Sequence, residues 1–305
     1  MGTTGTGGTA GGTAGGAAGA AAVRARAAVL GRGEVPAHAP ALRADDAGAA
    51  RGDGCFETLR VLGRAGAGPL VQHLEAHLER LAASCAAMDL PVPDRAAWRA
   101  LAALLSDGVP AGAEAVLRLA VTRGAPGAGP TGVATLAPVP PALLRQRAEG
   151  VRAVVLTTGT DARAHARAPW LLGGVKHLSY ALNAAALREA ARRGADDAVL
   201  VDVRGLLLEA PTASLVWSCG GELRTPRTAG TGVLPGTVQR AVFAAAGAEG
   251  VPAREVDAGV ADLLSADAAW LTSSVRGVVE LTALDGAAPA RDAALSARVR
   301  RWAGF

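Results

Sequence analysis

Lys176, in the stretch GGVKHLSY (173–180), sits in a chain whose neighbouring basic positions are arginine. Arginine keeps its proton in essentially any protein setting, whereas a lysine amine can lose its proton and attack a carbonyl. A lysine kept among arginines therefore invites a chemical explanation, condensation with an aldehyde to form a Schiff base. A pyridine-ring aldehyde cofactor also needs an acid that keeps its ring nitrogen protonated. Glu209, at the end of a strand hairpin, is the candidate. The bland alternative is a surface lysine and a rim glutamate, and these two residues alone favour it.

An anionic group on such a cofactor needs donors, and three segments offer them. Leu234-Pro235-Gly236-Thr237 reads as the start of a helix running through Val238 and Ala241. Its free amides and the Thr237 hydroxyl would face an anion at the positive end of that helix. Thr272-Ser273-Ser274, after the apolar run AAWL, adds hydroxyl and amide donors. Arg80, on the polar side of a helical stretch, would supply a fork of N–H groups. Taken singly, these are a helix cap, a strand end and a solvated arginine.

The elements that must position these side chains follow from local pattern. VQHLEAHLERLAASCAAMDL (71–90) carries Leu74, Leu78, Leu81 and Cys85 at helical spacing. FETLRVL (56–62) and AVLRLAVTRG (115–124) read as strands around it, giving a small α+β domain over 27–140. LAPVPPALLRQRAEG (136–150), proline-rich and then charged, suits a connector, set at 141–150. Beyond it VRAVVLTT (151–158) and AVLVDVRGLLLE (198–209) read as strands. SYALNAAALREAARRG (179–194) reads as a helix closed by Gly194, within a larger domain over 151–305. The glycine- and alanine-rich residues 1–26 are expected to form a disordered tail.

Composition excludes several classes. The chain has 305 residues, half of them hydrophobic, and a formal net charge of +4. Its basic residues are scattered rather than striped, which argues against a nucleic-acid partner. No apolar run approaches the ~20 residues that cross a bilayer, so no membrane partner is expected. Cys55, Cys85 and Cys219 are far apart and lack a C-x-x-C, which argues against a disulfide framework and a zinc site and fits a cytoplasmic location. The histidines show no metal-ligand spacing, and His77 is expected to cap or pack at a domain edge.

In chain order, RGDGCFETLRV (51–61), HLERL (77–81), TRG (122–124), GGVKHLSY, GADDAVLVD (194–202), LLEAPTAS (207–214), GVLPGT (232–237) and LTSS (271–274) resemble the class IV, or fold-type IV, pyridoxal-phosphate enzymes. The resemblance runs from about Val29 to Leu284. It implies a two-domain α+β / α/β fold of the D-amino-acid aminotransferase type, a homodimer, pyridoxal 5'-phosphate as cofactor and a small-molecule amino substrate. It also implies roles: Lys176 is the Schiff-base lysine and Glu209 pairs with the pyridinium nitrogen. Arg80, Thr237, Ser273 and Ser274 would hold the phosphate, and Tyr180 would contact the cofactor's phenolic oxygen.

Departures within the family favour one activity. D-amino-acid aminotransferases carry an Arg-x-His pair just after the TRG strand, where this chain reads TRGAPGAGP. The branched-chain enzymes have a longer, glycine-rich stretch around the lysine. GDGCF and VKHL are instead similar to the aminodeoxychorismate lyases, which convert 4-amino-4-deoxychorismate to 4-aminobenzoate and pyruvate on the way to folate. Glu57 after Phe56 is similar to the aminotransferases, so an aminotransferase acting on a D- or branched-chain amino acid is the alternative. A non-catalytic relative is the third reading.

Overall fold

The computed structural model describes Gly2, residues 22–92 and residues 94–305, so most of the expected tail lies outside the described residues. Six strands of the first half form an antiparallel sheet: β1 (Arg26–Val29), β2 (Gly33–Val35), β3 (Gly54–Leu62), β4 (Leu70–Val71), β5 (Glu114–Thr122) and β6 (Thr131–Pro138). Their order is β2-β1-β6-β5-β3-β4. Helices α1 (Ala47–Arg51), α2 (Leu74–Ala87) and α3 (Arg95–Ser106) complete this half.

Period-two alternation explains how the sheet is used. On β5, Ala115, Leu117, Leu119 and Val121 are buried in the core, while Val116, Arg118 and Ala120 take the other face. On β3, Cys55, Leu59 and Val61 join the same core, together with Leu78, Leu81 and Cys85 of α2. The buried positions of α2 are His77, Leu78, Arg80, Leu81, Ser84 and Cys85, one helical stripe that includes two residues expected to be polar or peripheral. Cys55 and Cys85, far apart in sequence, are therefore neighbours: their sulfurs lie 3.3 Å apart as free thiols.

The segment expected to be a connector is helical. Pro141 opens α4 (Pro141–Glu149), where a fixed φ and a missing N–H suit the first turn. Arg147 of α4 pairs with Glu114 of β5 at 2.7 Å, and its guanidinium also donates to the carbonyls of Val275 and Arg276. The helix thus ties β5 to the turn that follows Ser274.

The second half is built on seven further strands: β7 (Val151–Thr157), β8 (Asp197–Val201), β9 (Ser214–Cys219), β10 (Glu222–Pro226), β11 (Ala253–Val256), β12 (Ala268–Ser273) and β13 (Gly277–Leu284). The order is β11-β10-β9-β12-β13-β7-β8, parallel where β13, β7 and β8 adjoin and antiparallel through β9, β12 and β13. Helices α5 (Ala181–Arg192), α6 (Thr237–Ala248), α7 (Val260–Leu264) and α8 (Ala293–Trp302) pack around it. The central strands are covered on both faces. Leu215, Trp217, Ala269 and Leu271 enter one core, while Val216, Ala268 and Trp270 meet Val238 and Val242 of α6 and Val299 of α8 in another. Such strands read as continuous apolar runs rather than alternating ones. No helix among the described residues is long and apolar enough to cross a membrane.

Candidate active site

Lys176 is held by backbone bonds before its side chain does anything. The N–H of Phe56 donates to the Lys176 carbonyl at 2.9 Å, that of Leu178 donates to Gly54 at 2.8 Å, and Cys55 and His177 form a bridge. The segment is thus a short extra strand on the start of β3. From below, the Lys176 N–H donates to Ser84 Oγ of α2 at 3.3 Å. The amine points into a cavity of about 550 Å³, with Nζ 4.6 Å from the centre of the Phe56 ring and 5.7 Å from that of Tyr180.

Glu209 reaches the same cavity from the chain that returns alongside β8, where Leu208 N–H donates to Leu200 and Leu200 N–H donates to Glu209. Its Oε1 accepts the Leu234 N–H at 3.3 Å. Both side chains are half-buried, and what uncovers them is the cavity. Burial pushes the Glu209 carboxyl up to about 7 against the opposing pull of the Leu234 N–H, Lys176 and Arg80. Burial, helped by the cations Arg80 and Arg118, pushes the Lys176 amine down to about 8, although Glu57 and Glu209 oppose it. Burial thus brings an amine and a carboxyl of one cleft toward neutrality, a pattern that clusters at functional sites.

A group of hydroxyls lines the same cavity. Thr237 opens α6 with Gly236 as its cap residue, and Ser274 follows β12. Their hydroxyl oxygens are 3.3 Å apart. Ser273 lines the same cavity but takes no part in this hydroxyl contact. Gly236 is needed at the approach, because a Cβ there would lie 2.2 Å from Ser214 Oγ.

Arg80 is not solvated. It is buried, forks onto Glu57 through Nε and Nη2 at 2.7 Å each, and donates from Nη1 to the Pro235 carbonyl at 2.9 Å. His77 is likewise no edge residue. Fully enclosed, it contacts Glu57 Oε2 through Nδ1 at 2.6 Å and, through Nε2, Ser274 Oγ at 3.0 Å and Thr237 Oγ1 at 3.3 Å. Burial alone would raise the Glu57 carboxyl, but the bonds from Arg80 and His77 prevail and hold it at about 2. Glu57 and His77 are thus site residues that motif reading passed over. The available signal was Glu57 standing among Cys55, Leu59 and Val61 on the apolar face of β3, where a charge must be paired.

Arg118 was also missed. It lies opposite Thr58 in the β3–β5 pairing, on the cavity face, with its guanidinium 3.8 Å from the Phe56 ring centre. No ion pair of Arg118 occurs among the described residues. Burial lowers its affinity for the proton below the ordinary value. Tyr180, expected to contact the cofactor, lines the cavity edge-on to Phe56 and donates its hydroxyl to the Pro211 carbonyl at 2.9 Å. Every residue singled out for the site, namely Arg80, Lys176, Tyr180, Glu209, Thr237, Ser273 and Ser274, lines this one cavity.

Comparison with known proteins shows the family of the chain. The family profile described as "Amino-transferase class IV" matches residues 54–284. A bifunctional aminodeoxychorismate lyase / D-amino acid transaminase of Mycobacterium tuberculosis is 40% identical over 257 residues, covering 81% of this chain and 87% of that protein. An aminodeoxychorismate lyase of Vibrio harveyi is 29% identical over 248 residues, covering 76% of this chain and 83% of its own length. The solved structure of a hypothetical aminotransferase from Mycobacterium tuberculosis in its PLP-bound form superposes with a TM-score of 0.86 at 35% identity, covering 92% of this chain and 97% of the other.

Proposed function

The chain belongs to the class IV aminotransferase family, and we propose that it is a pyridoxal 5'-phosphate enzyme whose Lys176 carries the chemistry. The observation that carries this reading is the cavity itself, with a depressed amine, a raised carboxyl and an anion cradle facing one another. These residues fit the cofactor. Thr237, Ser274, Ser273, the free amides of α6 and the Arg80-braced loop at Pro235 would hold a phosphate. Glu209 would hold the proton of the ring nitrogen, and Tyr180 would lie beside the phenolic oxygen. When bound, pyridoxal phosphate supplies an electron sink for the pair released at the amine-bearing carbon.

For the reaction we infer a lyase that converts 4-amino-4-deoxychorismate to 4-aminobenzoate and pyruvate. Lys176 Nζ takes the proton from the ring carbon bearing nitrogen and returns a proton to the departing enolpyruvyl group, acting first as base and then as acid. Arg118, a cavity cation with no ion pair among the described residues, would hold a substrate carboxylate. The names of the Mycobacterium and Vibrio relatives support this substrate. Purified protein supplied with the cofactor should form 4-aminobenzoate and pyruvate in equal amounts; no product would remove the lyase reading.

The bifunctional name of the 40% identical relative favours a second activity, transamination of a D-amino acid. A transaminase half-reaction changes the cofactor absorbance until a keto acid restores it, whereas a lyase cycle restores it unaided. We further read 27–140 and 151–305 as small and large domains joined by 141–150, and the enzyme as a homodimer. Sizing should give a single species of twice the 30.2 kDa chain mass. A fully active monomer would contradict this.

A further inference from the structure

We propose that His77 is a positioning residue that sets how many hydroxyl donors the cradle offers, so that the site takes up a proton as it binds the phosphate of its cofactor. The inference rests on reading Thr237 and Ser274 as phosphate holders and assigns the residue behind them a role.

Hydrogen bookkeeping leads to it. Glu57 already accepts two bonds from Arg80 and, being ionised, has no hydrogen to give. At the 2.6 Å contact Nδ1 must therefore be the protonated nitrogen of His77. In a neutral ring Nε2 is then a bare lone pair, and it accepts a hydroxyl hydrogen from Ser274 at 3.0 Å or Thr237 at 3.3 Å. Each hydroxyl owns one hydrogen, so the hydroxyl that spends it on Nε2 meets an incoming anion with oxygen lone pairs, and only the other remains a donor. If Nε2 is protonated, it donates to a hydroxyl oxygen instead. Both hydroxyl hydrogens can then turn into the cavity, with a positive charge behind them. An oxyanion therefore selects the imidazolium form over the imidazole.

The surroundings allow either state. Glu57 of β3 favours the imidazolium, while burial above all, with Arg80 and His73 of α2, opposes it and keeps the anion-free ring below its ordinary value of 6.5. From α6 and the turn after β12 the ring meets the Thr237 and Ser274 hydroxyls. Full enclosure means that no solvent contact can replace the proton. Binding and protonation are thus linked, and an anion that needs His77 charged loses affinity as pH rises.

Sulfate is the probe, because its charge is constant near neutrality while a phosphate ester titrates near ~6. The full-length chain, freed of cofactor, is titrated with sulfate at about pH 7 in two buffers of different ionisation heat. At that pH Lys176, held at about 8, is already mostly protonated and adds little, whereas Glu209, held at about 7 in the same cavity, is half-titrated and adds an uptake of its own that His77→Gln retains. The expected result is net proton uptake on binding and an affinity that falls by up to about tenfold per pH unit. In His77→Gln, which can donate but does not titrate, sulfate should still bind, with the uptake and the pH slope cut to the share of Glu209. In parallel, nitrogen NMR of the wild type should show one imidazole Nε2 change from unprotonated to protonated on sulfate addition, a readout that needs no variant. Binding without proton exchange, an unchanged ring signal, or equal uptake in His77→Gln would overturn the proposal. Ser274→Ala with Thr237→Val separates the two levels. Unchanged sulfate affinity there removes the phosphate reading itself, whereas binding that needs the hydroxyls but takes up no proton removes only the role of His77.

Discussion

Glu57 is a carboxylate shared by Arg80 and His77 in a wall where all three side chains are buried. Removing its charge leaves the Arg80 guanidinium buried against a neutral group, the kind of change that costs roughly 3–5 kcal/mol. Glu57→Gln should therefore lower unfolding stability by about that amount, as measured by denaturant titration at neutral pH. The sign of the pH dependence follows from the depressed carboxyl. Because Glu57 sits at about 2 rather than near 4.5, its contribution is complete above 4.5 and disappears as pH falls through 2. The wild type should lose stability on that acid limb more steeply than Glu57→Gln, and parallel limbs would show that Glu57 is not the ionised partner. His77 was illegible from sequence for a physical reason. A histidine on a helical stripe beside Leu78 and Leu81 looks like packing until the strand facing it is known to carry an acid.

At the scale of elements, α6 acts through its first turn. Gly236 has φ −69°, so any residue could adopt its backbone, and what opposes a Cβ is the Ser214 hydroxyl at 2.2 Å, with Ser214 Cβ at 3.2 Å and Gln239 Cβ at 3.3 Å beside it. Gly236→Ala should push that turn out of place and weaken cofactor binding about tenfold, an overpacking penalty of roughly 1–2 kcal/mol. Adding Ser214→Ala removes the closest contact and should recover part of the loss in a titration of cofactor absorbance, whereas an equal defect in the double variant would locate the strain elsewhere. Much of this level was readable in advance. The stripe of α2, the strands β3, β5 and β7, and the helix closed near Gly194 follow from period and end signals. Helix α3 carried the same kind of signal, Trp98, Leu101, Ala102 and Leu105 at helical spacing behind an Asp94 cap, and was passed over, whereas α4 has no buried stripe and declares itself through what Arg147 grips on either side. Arg118 could have been found from alternation alone, since it shares a strand face with Ala120 and not with Leu117 or Leu119.

Over the whole molecule, the cavity draws on both sheets. Phe56, Arg80 and Arg118 come from the first half, and Lys176, Glu209, Thr237 and Ser274 from the second, with α4 fastening one to the other. No local segment contains the site. That is why its members were legible as motifs in chain order while the Glu57–His77–Ser274 connection, which crosses between the halves, was not. Lys176 is also the only lysine in the 305 residues, so the chain has just one side-chain amine able to join an aldehyde. That makes the central claim testable on the intact protein. Incubation with pyridoxal phosphate, reduction with borohydride and mass analysis of the whole chain and its peptides should give one added pyridoxyl phosphate, located on the peptide containing Lys176. Lys176→Ala should give none, while losing at least about a thousandfold in turnover. A wild-type chain that acquires no such mass, or acquires it only at the N-terminal amine, would contradict the account.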